Sequence, residues 1–155
     1  MAHMTQATRP GWHFVQQSGG GGANLTGGGS LTAYVDPPNN GFTMVIYKPS
    51  GAATETATIT LTGPAAALTS LHAVRSTVTR SNNPNVDAYF LAQPDVPVTN
   101  GVVTLTLRGG EMYTLSTVST MSKGTVPAPP PPAVAWPRTT PYSDNFDGCA
   151  ISQEA

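Results

Sequence analysis

Short segments in which apolar and polar residues alternate run along most of this chain, and frequent turn residues separate them. In TATITL (residues 56–61) apolar side chains alternate with threonines, and VVTLTL (residues 102–107) repeats the pattern. Strict alternation over four to eight residues predicts a half-buried β-strand. By this criterion we expect about eight strands, within residues 11–17, 30–36, 42–48, 54–63, 70–80, 87–92, 102–107 and 111–120.

No segment of helical period is long enough to compete with this interpretation. Short strands with one apolar face must pack against a second sheet, so the predicted fold class is all-β, an antiparallel β-sandwich. PPNNG (residues 37–41) is predicted to be a turn, since Asn-Gly supplies positive φ angles, and ANLT (residues 23–26) is predicted to be a loop. The predicted core comprises Trp12, Val35, Ile46, Ile59, Leu61, Leu105 and Leu115.

Composition narrows the range of functions. The 155 residues are 39% hydrophobic, which is enough for one domain with a core, and only 10% are charged, with a net charge of −1. Without a basic surface, nucleic acid and anionic membranes are not expected partners. No run of 18 apolar residues is present, so no membrane span is predicted. The single cysteine, Cys149, excludes an internal disulfide.

The sequence predicts neither a catalytic site nor a metal or cofactor site. Acid–base hydrolysis needs two carboxyl groups at a fixed separation, and the eight acidic residues are scattered among turns and strand starts. His13 and His72 stand alone without neighbours at metal-ligand spacing. The chain has no Gly-x-Ser-x-Gly elbow, and its glycine runs lack the lysine of a phosphate loop.

A carbohydrate-binding module that works alone is an alternative function. Sandwich domains that bind sugars stack them on exposed aromatic rings, which combine an apolar body with a polar tip. Such a module would bind galactose-containing glycans or other sugars. The candidate stacking residues are Trp12, Tyr34, Tyr47 and Tyr89.

Several segments resemble glycoside hydrolase family 59, the galactocerebrosidase family. TQATRPGWHFV (residues 5–15), GGSLTAYVD (residues 28–36) and GEMYTLSTVSTMSKGTVPAPP (residues 110–130) resemble parts of the β-sandwich that follows this family's catalytic barrel. PYSDNFDG (residues 141–148) and the final SQEA are similar to the opening of the family's lectin-like domain. Between residues 52 and 97 the chain matches only as a pattern of strands.

The resemblance implies a parent protein with three parts: a catalytic barrel, this sandwich and a lectin-like domain. The parent would be a retaining β-galactosidase whose catalytic glutamates and calcium lie in the other two parts. This chain would then be a non-catalytic accessory domain whose partners are the barrel and the lectin-like domain. We expect the parent to be secreted and bacterial. An arginine of the family's sandwich reaches the galactose site, and the matching region here offers only Lys48.

The domain boundaries follow from these interpretations. MAHM (residues 1–4) is interpreted as a vector-derived remnant, so His3 is left out of the functional argument. Residues 5–124 are the predicted sandwich. Residues 125–141 form a Pro-rich linker, which is expected to be semi-rigid because proline fixes φ and removes N–H donors. Residues 142–155 are the predicted start of the lectin-like domain.

Overall fold

Antiparallel pairing joins nine β-strands within the residues that the computed structural model describes, which are 2–15, 22–78 and 88–123. The only helical elements in these ranges are the single turn α1 (Ala2–Thr5) and two 3₁₀ turns, Pro37–Asn39 and Gly63–Ala67. The predicted all-β class is therefore confirmed. The strands are β1 (His13–Phe14), β2 (Ala23–Asn24), β3 (Ser30–Asp36), β4 (Gly41–Lys48), β5 (Glu55–Thr60), β6 (Ser70–Thr77), β7 (Leu91–Thr99), β8 (Val102–Leu107) and β9 (Glu111–Ser116).

The described residues belong to one compact unit, Met1–Gly124. The predicted Pro-rich linker, the predicted start of the lectin-like domain and Cys149 lie outside the described residues. No helix in the described ranges is long and apolar enough to cross a membrane.

The strands form one continuous sheet that folds over on itself at β7. Their order is β1-β3-β4-β9-β6-β7-β8-β5, and β2 pairs with β3 beside β1. The first part of β7 pairs with β6, whereas its last residues, Val98 and Thr99, pair with β8. The β8–β5 pair therefore forms a second, smaller layer opposite the first. This curled antiparallel arrangement agrees with the predicted sandwich.

The hydrophobic core lies between the two layers. Because side chains alternate along a strand, every second residue of β3, β4, β9 and β6 faces the second layer. The buried core residues are Leu31, Ala33, Phe42, Met44, Ile46, Ala57, Leu61, Leu71, Ala73, Val98, Val103, Leu107, Tyr113 and Leu115.

Three of the seven predicted core residues are buried: Ile46, Leu61 and Leu115. Val35, Ile59 and Leu105 are partly buried and pack against this core, so the prediction holds in part for them, whereas Trp12 is half-buried and is not among the core residues. Ile59 and Leu105 lie on the narrow two-stranded layer, and Val35 lies near the end of β3. Trp12 precedes β1 and packs beside Gly41, where an added Cβ would lie 2.7 Å from the indole ring.

Two segments outside the predicted strands are strands in the structure. Ala23 and Asn24, predicted to lie in a loop, form β2 against β3. Residues 93–99 extend β7 well beyond the predicted strand end, although they include two prolines. A β-bulge accommodates Pro94, which has no N–H for the ladder.

The outer face of the first layer, which points away from the core, carries buried hydroxyl groups. Thr43, Thr114 and Ser116 are fully buried there. The Thr43 hydroxyl lies 2.6 Å from the Ser116 hydroxyl and donates to the Ala7 carbonyl. The amino-terminal segment thus covers the centre of this face, which makes β9 a strand buried on both sides.

His3 belongs to this covering segment. The exposed fraction of His3 is 7%, and its ring packs edge-on against Phe90. Its Nδ1 and Nε2 atoms each lie 2.7 Å from a hydroxyl oxygen, of Thr114 and Ser76 respectively. Residues 2–5, interpreted from sequence as partly vector-derived, therefore take part in the packing of the described unit.

Candidate functional site

A groove of about 340 Å³ runs between β2 and β5 and is the first candidate site. Within the described ranges β5 pairs only with β8, so the other edge of β5 directs backbone N–H and C=O groups towards the groove. Apolar side chains from both strands contribute to the lining. The polar lining residues are Asn24, Thr26, Glu55, Thr56, Thr58 and Thr60.

The alternation of side-chain directions along residues 55–60 explains why threonines line the groove. Ala57 faces the core and is buried, while the threonines on either side of it are exposed. The groove therefore offers neutral hydroxyls, one carboxylate, and backbone groups along a strand edge that has no partner within the described residues. These groups suit an extended polypeptide or another neutral hydrogen-bonding partner.

A buried ion pair lies at one end of the groove. Lys48 is fully buried, and its Nζ lies 2.6 Å from Glu55 Oε1. The amine also donates to the carbonyls of Gly27 and Gly28, at 2.9 Å and 3.2 Å. An ammonium group has three donors, so all of them have partners here. A Cβ at Gly27 would overlap the Glu55 carboxylate, so a side chain there would displace that carboxylate from its present position.

Lys48 therefore joins the end of β4, the loop after β2 and the start of β5. It is the residue that the sequence placed at the rim of a galactose site. In the structure its amine points into the protein and contacts three oxygen atoms rather than solvent. The rim assignment stays a prediction.

A second charged cluster links β6, β9 and the turn before β9. Arg75 Nη1 donates to Glu111 Oε1, and the Tyr113 hydroxyl donates to Glu111 Oε2. The backbone N–H of Arg108 donates to the same tyrosine hydroxyl at 3.1 Å. Burial, followed by the hydrogen bond to Glu111, raises the pKa of Tyr113 to about 12. The cluster fixes strand positions and occupies the Glu111 carboxylate.

The four aromatic residues proposed for sugar stacking lie on separate elements, and none of them lines the groove. Trp12 is half-buried beside Gly41. Tyr34 meets Phe14 edge to face, with ring centroids 5.6 Å apart. Tyr47 is exposed on β4. Tyr89 is exposed after the undescribed residues 79–87, with Lys123 Nζ 5.9 Å from its ring.

Metal ligands do not converge in the part of the chain that the structure describes. No three His, Cys, Asp or Glu side chains there could hold one ion. Asp95 pairs with His72, whose Nδ1 lies 2.9 Å from the carboxylate, in a small niche that sequence reasoning missed. Neither an isolated histidine nor the segment Asp-Val-Pro is a recognisable motif, so the sequence contains no signal that the two would meet.

Two solved structures contain a similar fold. A GH30 endoxylanase from Clostridium papyrosolvens matches with a TM-score of 0.52 and 19% identity, over 70% of this chain and 24% of that one. The Xyn30A xylanase of Clostridium acetobutylicum matches with a TM-score of 0.53 and 13% identity, over 74% and 25% of the two chains. The fold is thus that of a β-rich domain found in glycoside hydrolases.

Sequence comparison finds relatives of this chain among the galactocerebrosidases. The chain is 31% identical to mouse galactocerebrosidase over 157 residues and 30% identical to the Salmo salar protein over 161 residues. Human galactocerebrosidase is 28% identical over 159 residues. Each match covers 94% of this chain but only 22% of the relative. No protein-family model matches the chain.

The resemblance to galactocerebrosidases is therefore confirmed: the chain is similar, over nearly all of its own length, to one part of these proteins. It spans about a fifth of the length of the curated relatives that it matches.

Proposed function

We propose that this chain is the non-catalytic sandwich domain of a galactocerebrosidase-like β-galactosidase, and that it supports a catalytic barrel carried elsewhere in that protein. The observation that carries the proposal is the unequal coverage of the sequence matches. Nearly all of this chain aligns with galactocerebrosidases, but it accounts for only 22% of their length.

The chemistry of the carboxylates supports the same proposal. Two of the acidic residues in the described ranges are held in cation pairs, Glu55 with a lysine and Glu111 with an arginine. Hydrolysis of a glycosidic bond requires one carboxylic acid to donate a proton and a second carboxylate to act opposite it. Carboxylates held in cation pairs are suited to holding strands together rather than to this work.

The edge of β5 that lacks a strand partner in the described part of the chain supports an accessory role as well. An exposed strand edge presents unpaired backbone groups and invites association, and the flanking side chains here are mostly neutral threonines. We propose that the catalytic barrel covers the β2–β5 groove in the parent protein. Lys48 would then position the loop at residues 25–29 near that contact, and a lectin-like domain would follow the Pro-rich linker of a secreted, bacterial protein.

Two measurements test the accessory role. The purified chain is expected to hydrolyse no nitrophenyl β-galactoside, and steady turnover that survives repurification and is lost on mutating one acid would overturn the proposal. A galactocerebrosidase whose matching segment is replaced by this chain should retain activity. The same enzyme lacking the segment should lose it, and equal activity of the two would contradict a supporting role.

Autonomous carbohydrate binding is the second candidate, and the exposed rings of Tyr47 and Tyr89 favour it. Stacking of this kind would not need the barrel. A glycan array together with a galactose titration of the isolated chain tests the idea. Binding that is lost in both Tyr47→Ala and Tyr89→Ala would support it, whereas an array without a hit would exclude it.

A further inference from the structure

A small niche of about 100 Å³ lies where β6 and β7 meet the segment that follows β9. It is separate from the β2–β5 groove, which has different lining residues. The side chains of the buried Val74 and Met121 line it with apolar surface. Its polar lining residues are His72, Gln93, Asp95 and Ser119.

A β-bulge brings the two charged residues of the niche together. Leu71 pairs with Val96 and Ala73 pairs with Gln93, so His72 faces the two residues between them, Pro94 and Asp95. Pro94, which cannot donate a ladder hydrogen bond, lies at this shift in the pairing. The extra residue places the Asp95 carboxylate beside the imidazole of His72.

The contact sets the tautomer of His72. A carboxylate only accepts hydrogen bonds, so Nδ1 carries the proton and donates it to Asp95 Oδ1 over 2.9 Å. Nε2 of the neutral ring then presents a lone pair. Within the described residues no hydrogen bond to Nε2 is formed, and the side chains of His72 and Asp95 are 42% and 51% exposed. A ligand can therefore reach this nitrogen from solvent.

The other polar atoms of the niche are also acceptors. Asp95 has a second carboxylate oxygen. The Gln93 amide nitrogen donates to the backbone carbonyls of residues 91 and 92, which leaves the amide oxygen of Gln93 as an acceptor. A complementary ligand must therefore offer several donors, and the negative charge of Asp95 disfavours an anion. A bound metal ion is disfavoured, because no third His, Cys, Asp or Glu joins the pair in the described ranges.

We propose that this niche binds one edge of a sugar residue. One hydroxyl donates to His72 Nε2, and a neighbouring hydroxyl donates to the free oxygen of Asp95. The Ser119 hydroxyl exchanges a further hydrogen bond, and C–H groups of the ring contact Val74 and Met121. The niche is smaller than a full ligand pocket, so it holds one edge of the ring and binds weakly, with a Kd of about 1–10 mM. The inference rests on this geometry and does not depend on the accessory role.

The test is a titration of the isotope-labelled chain with methyl β-galactoside and methyl β-glucoside, observed through the imidazole nitrogens by NMR. We expect a saturable shift of His72 Nε2, with Nδ1 protonated before the sugar is added. His72→Gln should weaken binding at least tenfold, and Asp95→Asn should weaken it by about threefold to tenfold because the ring loses its orientation. His13→Gln is the matched control, since His13 is an exposed strand histidine outside the niche, and it should leave the affinity unchanged.

Four outcomes would overturn the proposal. These are the absence of a saturable shift up to about 100 mM sugar, a proton on Nε2 in the free protein, equal binding by His72→Gln, and a response to Zn²⁺ without a response to sugar. Sugar-dependent shifts confined to β5 would also count against it, because they would place binding in the groove. None of these outcomes bears on whether the chain hydrolyses a β-galactoside, so the two proposals fail separately.

Discussion

Lys48 Nζ lies 2.6 Å from Glu55 Oε1, and the lysine side chain is completely buried while the glutamate is 22% exposed. Removing a buried charge from solvent is costly unless a partner and further hydrogen bonds compensate for it. Here the carboxylate and two backbone carbonyls surround the ammonium group. The pair therefore determines how the loop after β2 meets β4 and β5.

Removing the Glu55 carboxylate alone should lower the free energy of unfolding more than removing both charges of the Lys48–Glu55 pair. Glu55→Ala leaves a buried ammonium with two carbonyl partners and is expected to lower the free energy of unfolding by about 2–4 kcal/mol. The double variant Lys48→Met/Glu55→Leu should lose less, because no charge remains buried. Urea denaturation of both variants measures the difference, with the exposed Thr58→Ala as control. A double variant less stable than Glu55→Ala would contradict this account.

His3 should make the free energy of unfolding depend on pH below neutrality. Burial lowers the pKa of His3 to about 4 from an unfolded value of 6.5, with the positive amino terminus as the smaller cause. The unfolded chain therefore binds a proton first, so the contribution of His3 is complete above pH 6.5 and is lost as the pH falls towards 4. We expect a loss of about 1–2 kcal/mol, less than the full shift implies, because the segment lies close to solvent.

The measurement is urea denaturation between pH 4 and pH 7, the range set by the pKa values of His3. Carboxylates titrate in the same range, so the effect is taken as the difference between the unchanged chain and His3→Gln. His13→Gln, at an exposed position, should preserve the full dependence. Identical slopes for the unchanged chain and His3→Gln would show that His3 is not buried in its neutral form.

Tyr113 should make stability fall at alkaline pH. Its pKa is about 12 in the folded chain and 10.0 in the unfolded chain, so its contribution is present below pH 10 and is lost as the pH rises towards 12. Tyr113→Phe removes the hydroxyl that joins Glu111 to the Arg108 backbone and should cost about 1–2 kcal/mol at neutral pH. Phenolate absorbance during alkaline titration tests the raised pKa of Tyr113. Thermal melts of Tyr113→Phe test the expected loss of stability. Ionisation of all five tyrosines near pH 10 would contradict the first.

The loss of stability on replacing a leucine of β8 with alanine should be larger for the more buried leucine. Leu107 is fully buried, and Leu107→Ala should cost about 2–5 kcal/mol. Leu105 lies on the same face but is only partly buried, so Leu105→Ala should cost about 1–2 kcal/mol. Chemical denaturation of the two variants side by side gives the comparison. A larger loss at Leu105 than at Leu107 would mean that β8 is shifted or tilted relative to β4 and β9.

The turn between β7 and β8 should be sensitive to a side chain at its second position. Asn100 and Gly101 have φ angles of 51° and 73°, the left-handed pair of a two-residue hairpin turn. A Cβ at Gly101 would also lie 3.3 Å from the Ala66 Cβ. Gly101→Ala should therefore cost about 1–2 kcal/mol. Gly51→Ala, in open space, is the control, and equal stability of the two variants would contradict the assigned turn.

The sequence correctly predicted those features that depend on residues close to one another along the chain. Alternation along residues 30–36, 55–60 and 102–107 reports which face of a strand is apolar, because successive side chains point in opposite directions. The all-β class, most strand positions and the buried Ile46, Leu61 and Leu115 followed from that rule. The turn signal Asn100-Gly101 was also readable in the sequence but was missed.

Contacts between distant residues were decided only by the tertiary structure. Lys48 and Glu55 are close in sequence, but the partners that complete the ammonium site come from Gly27 and Gly28 on another loop. The polar face of β9 is buried because His3 and its neighbours pack on it from more than one hundred residues away. His72 meets Asp95 at a bulge in β7, where Pro94 and Asp95 together lie opposite His72. Alternation identifies the two faces of a strand, whereas register, bulges and the chain segment that covers a face depend on the free energy of the whole fold.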